Sequence, residues 1–311
     1  MTFIWAESIY LSWWWQNANS TMRHLMKDLL NQGRFEVVGG GWVMPDEANP
    51  TAYSVIDQLL EGHLFLKQNL GYKPTSGFAI DPFGHSSVVA RVASQAGLKH
   101  LVLQRIHYDV KKFFDHTANA EFKWRQTWDV DGQNDVFVFM NPYRLYAYKF
   151  TCGPDYRVCL EFDFQDVPGA YRDVKGTPLN QFNIKAQSLK LLNQLRKKSL
   201  LFRHNVLLVL LGDDFRYTTG MEFDQQFHNW NMLFEFLNAN SRQLFVQAKF
   251  GTLKDYFQAA EEALARRERE EKEAKAVGGS EGTRGLSLGG IKSVGGDYFT
   301  YNDENLSYWS G

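Results

Sequence analysis

The feature that most constrains this chain is a repeated change of period. Short apolar runs of β type, at residues 35–38, 77–80, 100–104, 135–140, 206–211 and 244–249, alternate with stretches whose apolar residues recur every three or four positions. The latter predict helices near 15–31, 52–69, 87–96, 184–198 and 224–238, as in Val55, Ile56, Leu59, Leu60 and Leu64. Alternation of this kind predicts an α/β fold, a mostly parallel sheet with helices packed outside it. With 311 residues, 44% of them hydrophobic, the chain can bury a sizeable core, and α/β barrels of this length form one unit.

The ends of the predicted strands carry the chemistry. Residues 35–38 run into Gly39-Gly40-Gly41-Trp42, residues 77–80 into Asp81-Pro82-Phe83-Gly84-His85, residues 101–103 into Gln104-Arg105, and residues 206–211 into Gly212-Asp213-Asp214. Barrels and open α/β sheets place their active sites at the carboxyl ends of strands. Asp81, held in a turn by Pro82 and Gly84, is suited to act as nucleophile or metal ligand, and equally to cap a helix starting near Ser86. Asp213 and Asp214 offer the second carboxyl that a glycosidase needs; the alternative is one solvent-facing Asp and one paired with Arg216. Arg105 and Tyr146 suit sugar hydroxyls, or, for Arg105, a pair with Asp109. His85 reads as structural, and Asp46 and Glu47 as helix N-terminal acids.

A net charge of −1 argues against nucleic acid or anionic membrane as partner. No apolar run has the length of a membrane span, the longest being 206–211, and no basic leader precedes one. Aromatics make up 15% of the chain, which suits sugar faces and cores alike. Cys152 and Cys159 form a disulfide in an oxidising compartment or stay as two thiols in a reducing one, and Asn19-Ser20-Thr21 and Asn305-Leu306-Ser307 are glycosylation sequons. Residues 259–275 read as a solvated charged helix, followed by eight glycines between 278 and 296.

Taken together, Gly40-Gly41-Trp42-Val43-Met44-Pro45-Asp46-Glu47-Ala48 and Ala79-Ile80-Asp81-Pro82-Phe83-Gly84-His85-Ser86 resemble family 38 glycoside hydrolases. The likeness continues through Gln104-Arg105-Ile106-His107-Tyr108, Thr151-Cys152-Gly153-Pro154-Asp155, Leu211-Gly212-Asp213-Asp214-Phe215-Arg216-Tyr217 and Asp297-Tyr298-Phe299-Thr300-Tyr301. Pro45-Asp46-Glu47 and the Thr151 motif resemble the Golgi branch of the family more than the lysosomal one.

This resemblance implies a seven-stranded parallel β/α barrel and a zinc-dependent retaining α-mannosidase acting on N-glycan oligosaccharides in the Golgi lumen. It implies Asp81 as nucleophile and zinc ligand, Asp214 as general acid/base with Asp213 in support, and Phe83, Arg105 and Tyr146 around the sugar. Residues 1–258 would then be part of the catalytic barrel, 259–296 an insertion, and 297–311 the continuation of the barrel.

The family's remaining zinc motifs, His-x-Asp and His-His-Asp, are expected before residue 1 and after Gly311, so the isolated chain is expected to be inactive. Ala147 stands where the family has Asp, and Phe150 where it has His. These departures favour the competing reading of a non-catalytic glycan-binding or scaffold member. A metal-dependent deacetylase is opposed by the lack of a His-x3-His signature.

Overall fold

A computed structural model describes residues 1–166, 176–276 and 290–301. The chain divides into two compact units, one made of residues 2–142, 201–206 and 251–311, the other of Met1, 143–200 and 207–250.

Among its described residues the first unit carries nine strands: β1 (Phe3–Trp5), β2 (Phe35–Val37), β3 (Ser76–Ala79), β4 (Gly84–His85), β5 (His100–Leu103), β6 (Glu121–Trp124), β7 (Val136–Met140), β8 (Ser293–Val294) and β9 (Tyr298–Phe299). Five form one sheet in the order β3-β5-β7-β6-β8. Within it β3, β5 and β7 are parallel, β6 runs antiparallel to β7, and β8 is parallel to β6. A parallel pair β1–β2 adjoins this sheet, since the Gly39 amide just after β2 donates to the Ser76 carbonyl of β3 at 2.7 Å. The α/β expectation holds, with a sheet rich in parallel pairs.

Sequence and packing agree closely around β7. Its run Val-Phe-Val-Phe-Met is buried at every position, as a strand covered on both faces should be. One face joins Leu101, Leu103, Phe122 and Trp124 against Ala90 and Ala93 of helix Ser87–Ala96. On the other, Phe137 meets Phe257 and Phe139 stacks on Phe202. That helix has the bounds its sequence predicts: the Ser86 hydroxyl caps the Val88 amide, and Gly97 ends it at φ 88°.

Two expectations shift. The helix expected over 15–31 is two, Ser8–Asn17 and Ser20–Asn31, because Ala18 turns extended and Asn19 Oδ1 caps the second by accepting from Met22 N. The charged helix begins earlier, at Leu253, and runs to Ala276. It is not solvated all round, for Leu253, Tyr256, Phe257, Ala260, Ala263 and Leu264 form a buried stripe at three- and four-residue spacing. Asn305 lies outside the described residues, as do most of the glycines between 278 and 296.

The second unit is helical among its described residues, with Tyr156–Leu160, Ile184–Ser199, Gly220–Ala239 and Ser241–Leu244 around Phe162, Phe164, Leu191, Trp230 and Leu233. The runs 206–211 and 244–249 are not strands here. A strand needs a neighbouring backbone to bond with, and side chains take that role instead. Asn238 brackets Ala248 through its amide and carbonyl, both at 2.8 Å. Thr151 and Lys198 hold carbonyls of the earlier run, whose Val209 and Leu211 pack on the helices. Among the described residues no helix is long and apolar enough to cross a membrane.

Candidate active site

Parallel register brings Asp81 and Arg105 side by side. Ala79 of β3 pairs with Leu103 of β5, and Asp81 and Arg105 each lie two positions beyond these paired residues. Arg105 donates to Asp81 Oδ1 from Nε at 2.9 Å and from Nη2 at 2.6 Å. The Asp81 side chain is 53% exposed and that of Arg105 is 13% exposed, so the carboxylate is presented while its partner is held. The Arg105 guanidinium also lies over the Phe83 ring, 4.8 Å from its centroid.

Two bland alternatives for these residues are not realised. The helix at Ser87 is capped by Ser86 rather than Asp81, and Asp109 pairs with Lys112 at 2.6 Å rather than with Arg105.

The turn that carries Asp81 is tied from several sides. Gly84 in β4 pairs with Phe299 of β9, and a Cβ there would lie 2.1 Å from the Tyr298 carbonyl oxygen and 2.7 Å from that of Arg105. Only glycine lets three backbones meet so closely. His85 is structural, fully buried with Nδ1 3.1 Å from Glu47 Oε1. Glu47 corrects the reading of an acid that opens its own helix: it is buried, and Oε2 accepts the Ser86 amide at 2.7 Å, ahead of the distant helix Ser87–Ala96. Asp46 accepts locally from Asn49 N.

Sequence reasoning missed Lys111, which is fully buried and donates from Nζ to the Gln104 carbonyl at 2.5 Å, one residue before Arg105. The signal was available, since Lys111 sits three residues before buried Phe114 on the inner stripe of helix Tyr108–His116. Burial lowers its pKa to about 7.

The second group belongs to the other unit. Tyr146, itself buried, donates its hydroxyl to Asp214 Oδ1 at 3.0 Å, and the Asp214 amide donates to Asp213 Oδ1 at 2.9 Å. Asp213 is exposed in side-chain surface, yet the surrounding chain desolvates it enough to raise its pKa, with the Asp214 charge adding to the rise.

Arg216 does not serve these acids. Its Nη1 and Nη2 donate to Asp163 at 2.9 and 2.7 Å, and its Nε donates to Glu222 at 2.6 Å. Phe215 and Tyr217 on either side of it are left-handed, at φ 55° and 59°, so the backbone after the acid pair is strained. Cys152 and Cys159 are joined by a disulfide. Ala147 is buried, and Phe150 packs on the Tyr156 ring at 6.3 Å.

Among the described residues no group of three or more His, Cys, Asp or Glu could hold a metal. A zinc site takes about four ligands, and Asp81 offers one, so these residues do not make a zinc site by themselves.

The glycosyl hydrolases family 38 N-terminal domain matches residues 1–304. The chain is 43% identical over 313 residues to Alpha-mannosidase 2 of Mus musculus, and 40% identical over 316 residues to Alpha-mannosidase 2 of Arabidopsis thaliana. Each alignment covers 99% of this chain and 26% of the relative, so the chain spans about a quarter of the length of the curated relatives it matches. In fold it resembles an α-mannosidase from Enterococcus faecalis V583, with TM-score 0.54, 15% identity, and coverage of 94% of this chain and 25% of that one.

Proposed function

The chain belongs to glycosyl hydrolase family 38, and from that premise we propose that it serves an α-mannosidase, one that removes terminal α-mannosyl residues from N-glycans with retention. The observation that carries this reading is the clamp of Arg105 on Asp81 at the ends of adjacent parallel strands. Two charge-assisted bonds orient a carboxylate that remains presented to a ligand.

In the proposed cycle Asp81 attacks the anomeric carbon while Asp214 gives its proton to the departing glycosidic oxygen. An ester between the mannosyl unit and Asp81 forms, and the aglycone leaves as an alcohol. Asp214 then takes a proton from water, whose oxygen attacks the same carbon. Mannose is released with its configuration retained, and both carboxyls return to their starting states. Tyr146 orients Asp214 through its hydroxyl, Asp213 supports it, and Phe83 offers a ring to the sugar.

Zinc is proposed with Asp81 as one ligand, the rest of the set coming from beyond the described residues; no step above is routed through it. When bound, zinc would supply Lewis-acid contact to sugar hydroxyls. The barrel of seven strands is likewise proposed, supported by the parallel order β3-β5-β7 and the bond from Gly39 to Ser76. Pairing of β9 with β4 supports residues 297–311 as part of the catalytic domain, and pairing of β8 with β6 draws the end of the 259–296 stretch into the same sheet. A Golgi lumen location accords with the Cys152–Cys159 disulfide, which persists in oxidising compartments.

Ala147 and Phe150 favour a second reading, a non-catalytic glycan-binding member. The two are separated by zinc content and hydrolysis of an aryl α-mannoside, measured on this chain and on the same chain extended to the length of its relatives. Hydrolysis with about one zinc in the extended form, abolished by Asp81→Ala, supports the enzyme. Neither zinc nor hydrolysis in either form refutes it.

A further inference from the structure

Residues 208–212 lead directly to the Asp213–Asp214 pair and have no strand beside them within their unit among the described residues. Four of their five carbonyls are nonetheless held. Lys198 Nζ donates to Leu208 O at 2.6 Å, Thr151 Oγ1 to Leu210 O at 2.7 Å, the Tyr217 hydroxyl to Leu211 O at 3.2 Å, and the Tyr148 amide to Gly212 O at 3.1 Å. Lys198 also donates to Thr151 O at 2.7 Å, which ties the residue holding Leu210 to the one holding Leu208. The segment thus hangs from a row of side-chain and loop donors, with Lys198 at its head.

Lys198 is an expensive choice for that place. It lies on helix Ile184–Ser199 and is 0% exposed. Burying an amine is costly where a methionine of similar length is not, and burial lowers the Lys198 pKa to about 7. What lysine adds over methionine is a set of rotatable N–H donors that can reach two carbonyls at once. One of the carbonyls it reaches is that of Thr151, whose own hydroxyl holds Leu210; the other is six residues before Asp214.

We infer that Lys198 is a positioning residue for the proton-transferring carboxylate Asp214, acting through the backbone of residues 208–212. This rests on the proposed glycosidase reading. A displacement of about 1 Å at a reacting group costs on the order of 100-fold in rate, so loosening the head of this row falls on the step that uses Asp214.

That step is read by comparing leaving groups. The kcat/KM for a phenyl α-mannoside reports departure of a poor leaving group, which needs a proton from the general acid. A dinitrophenyl α-mannoside leaves without that proton. The protein, extended to the length of its relatives and loaded with zinc, is assayed as Lys198→Met and as Thr151→Val, each checked for folding by its thermal midpoint. Lys190→Met, on the same helix and paired at the surface with Glu161, is the control.

Both test variants are expected to lose roughly 10- to 100-fold on the phenyl substrate and to keep the dinitrophenyl rate, while Lys190→Met keeps both. If Lys198→Met does not fold, Thr151→Val decides, because it removes a donor from the same row with little change of volume. Equal losses on the two substrates overturn the inference and leave Lys198 a structural residue. An unaltered protein that hydrolyses neither substrate overturns the mannosidase reading itself, and is distinguished by that baseline.

Discussion

Arg216→Met removes the cation from a buried cluster that the acid-pair motif conceals. The guanidinium bonds Asp163 and Glu222 with side-chain exposures of 9%, 9% and 0% for the three residues, and lies 4.6 Å from the Tyr148 ring centroid. Deleting one partner of a buried ion pair costs about 3–5 kcal/mol, since the other charge is left behind, and here two carboxylates are left. Some of that is recovered. Glu222 keeps the Tyr217 amide at 2.7 Å and Gln165 at 3.2 Å, and Asp163 keeps Gln226 at 2.8 Å.

We therefore expect a loss of about 4 kcal/mol in unfolding free energy at pH 7, read by urea denaturation. Adding Glu222→Gln should restore part of it by removing one stranded charge. A loss below about 1 kcal/mol, the range of an exposed pair, refutes the stranded-charge argument.

Gly84→Ala sets a Cβ against two backbone oxygens that cannot swing away; a destabilisation at or above about 3 kcal/mol is expected by thermal unfolding, with weaker hydrolysis as the Asp81 turn shifts. Lys111 has its pKa lowered to about 7 by burial, opposed by Asp115 and aided by Arg105. The unfolded chain keeps that proton up to about 10.4, so stability should rise between about pH 7 and pH 10, by about 1.4 kcal/mol per unit from this residue. Lys111→Met should remove that part of the slope in urea titrations, while Asp115, with a pKa raised to about 6, titrates below the window. Reducing the Cys152–Cys159 disulfide, with a sequence separation of 7, should cost about 2–3 kcal/mol by loop entropy, read as a lower midpoint in dithiothreitol.

How much of this could be read from the residues in order depends on the range of the forces involved. The strands β2, β3, β5 and β7 and the helices Ser87–Ala96 and Ile184–Ser199 were legible because their signals are local: an apolar run or a 3.6-residue stripe, closed in Ser87–Ala96 by a serine cap and a glycine. The run 206–211 has the same local signal and failed, because a strand also requires a partner backbone and Lys198, Thr151 and Tyr217 supply its bonds instead. β6 was missed because its polar–apolar alternation, Glu-Phe-Lys-Trp, spans only four residues; its identity comes from pairing with β7.

Motif order along the chain was enough to determine the family and to single out Asp81, Arg105, Tyr146, Asp213 and Asp214, since a motif is a string of neighbouring letters; Asp81 and Arg105 follow strand ends, whereas Asp213 and Asp214 follow a run that is not a strand. Which charge meets which was decided only by the tertiary structure. Asp81 with Arg105, Glu47 with His85, and Arg216 with Asp163 and Glu222 are separated by 24, 38, 53 and 6 positions. Pairings at such distances follow from strand register and helix packing. No local period in the sequence encodes them, because a hydrogen bond depends on distance in space and is indifferent to distance along the chain.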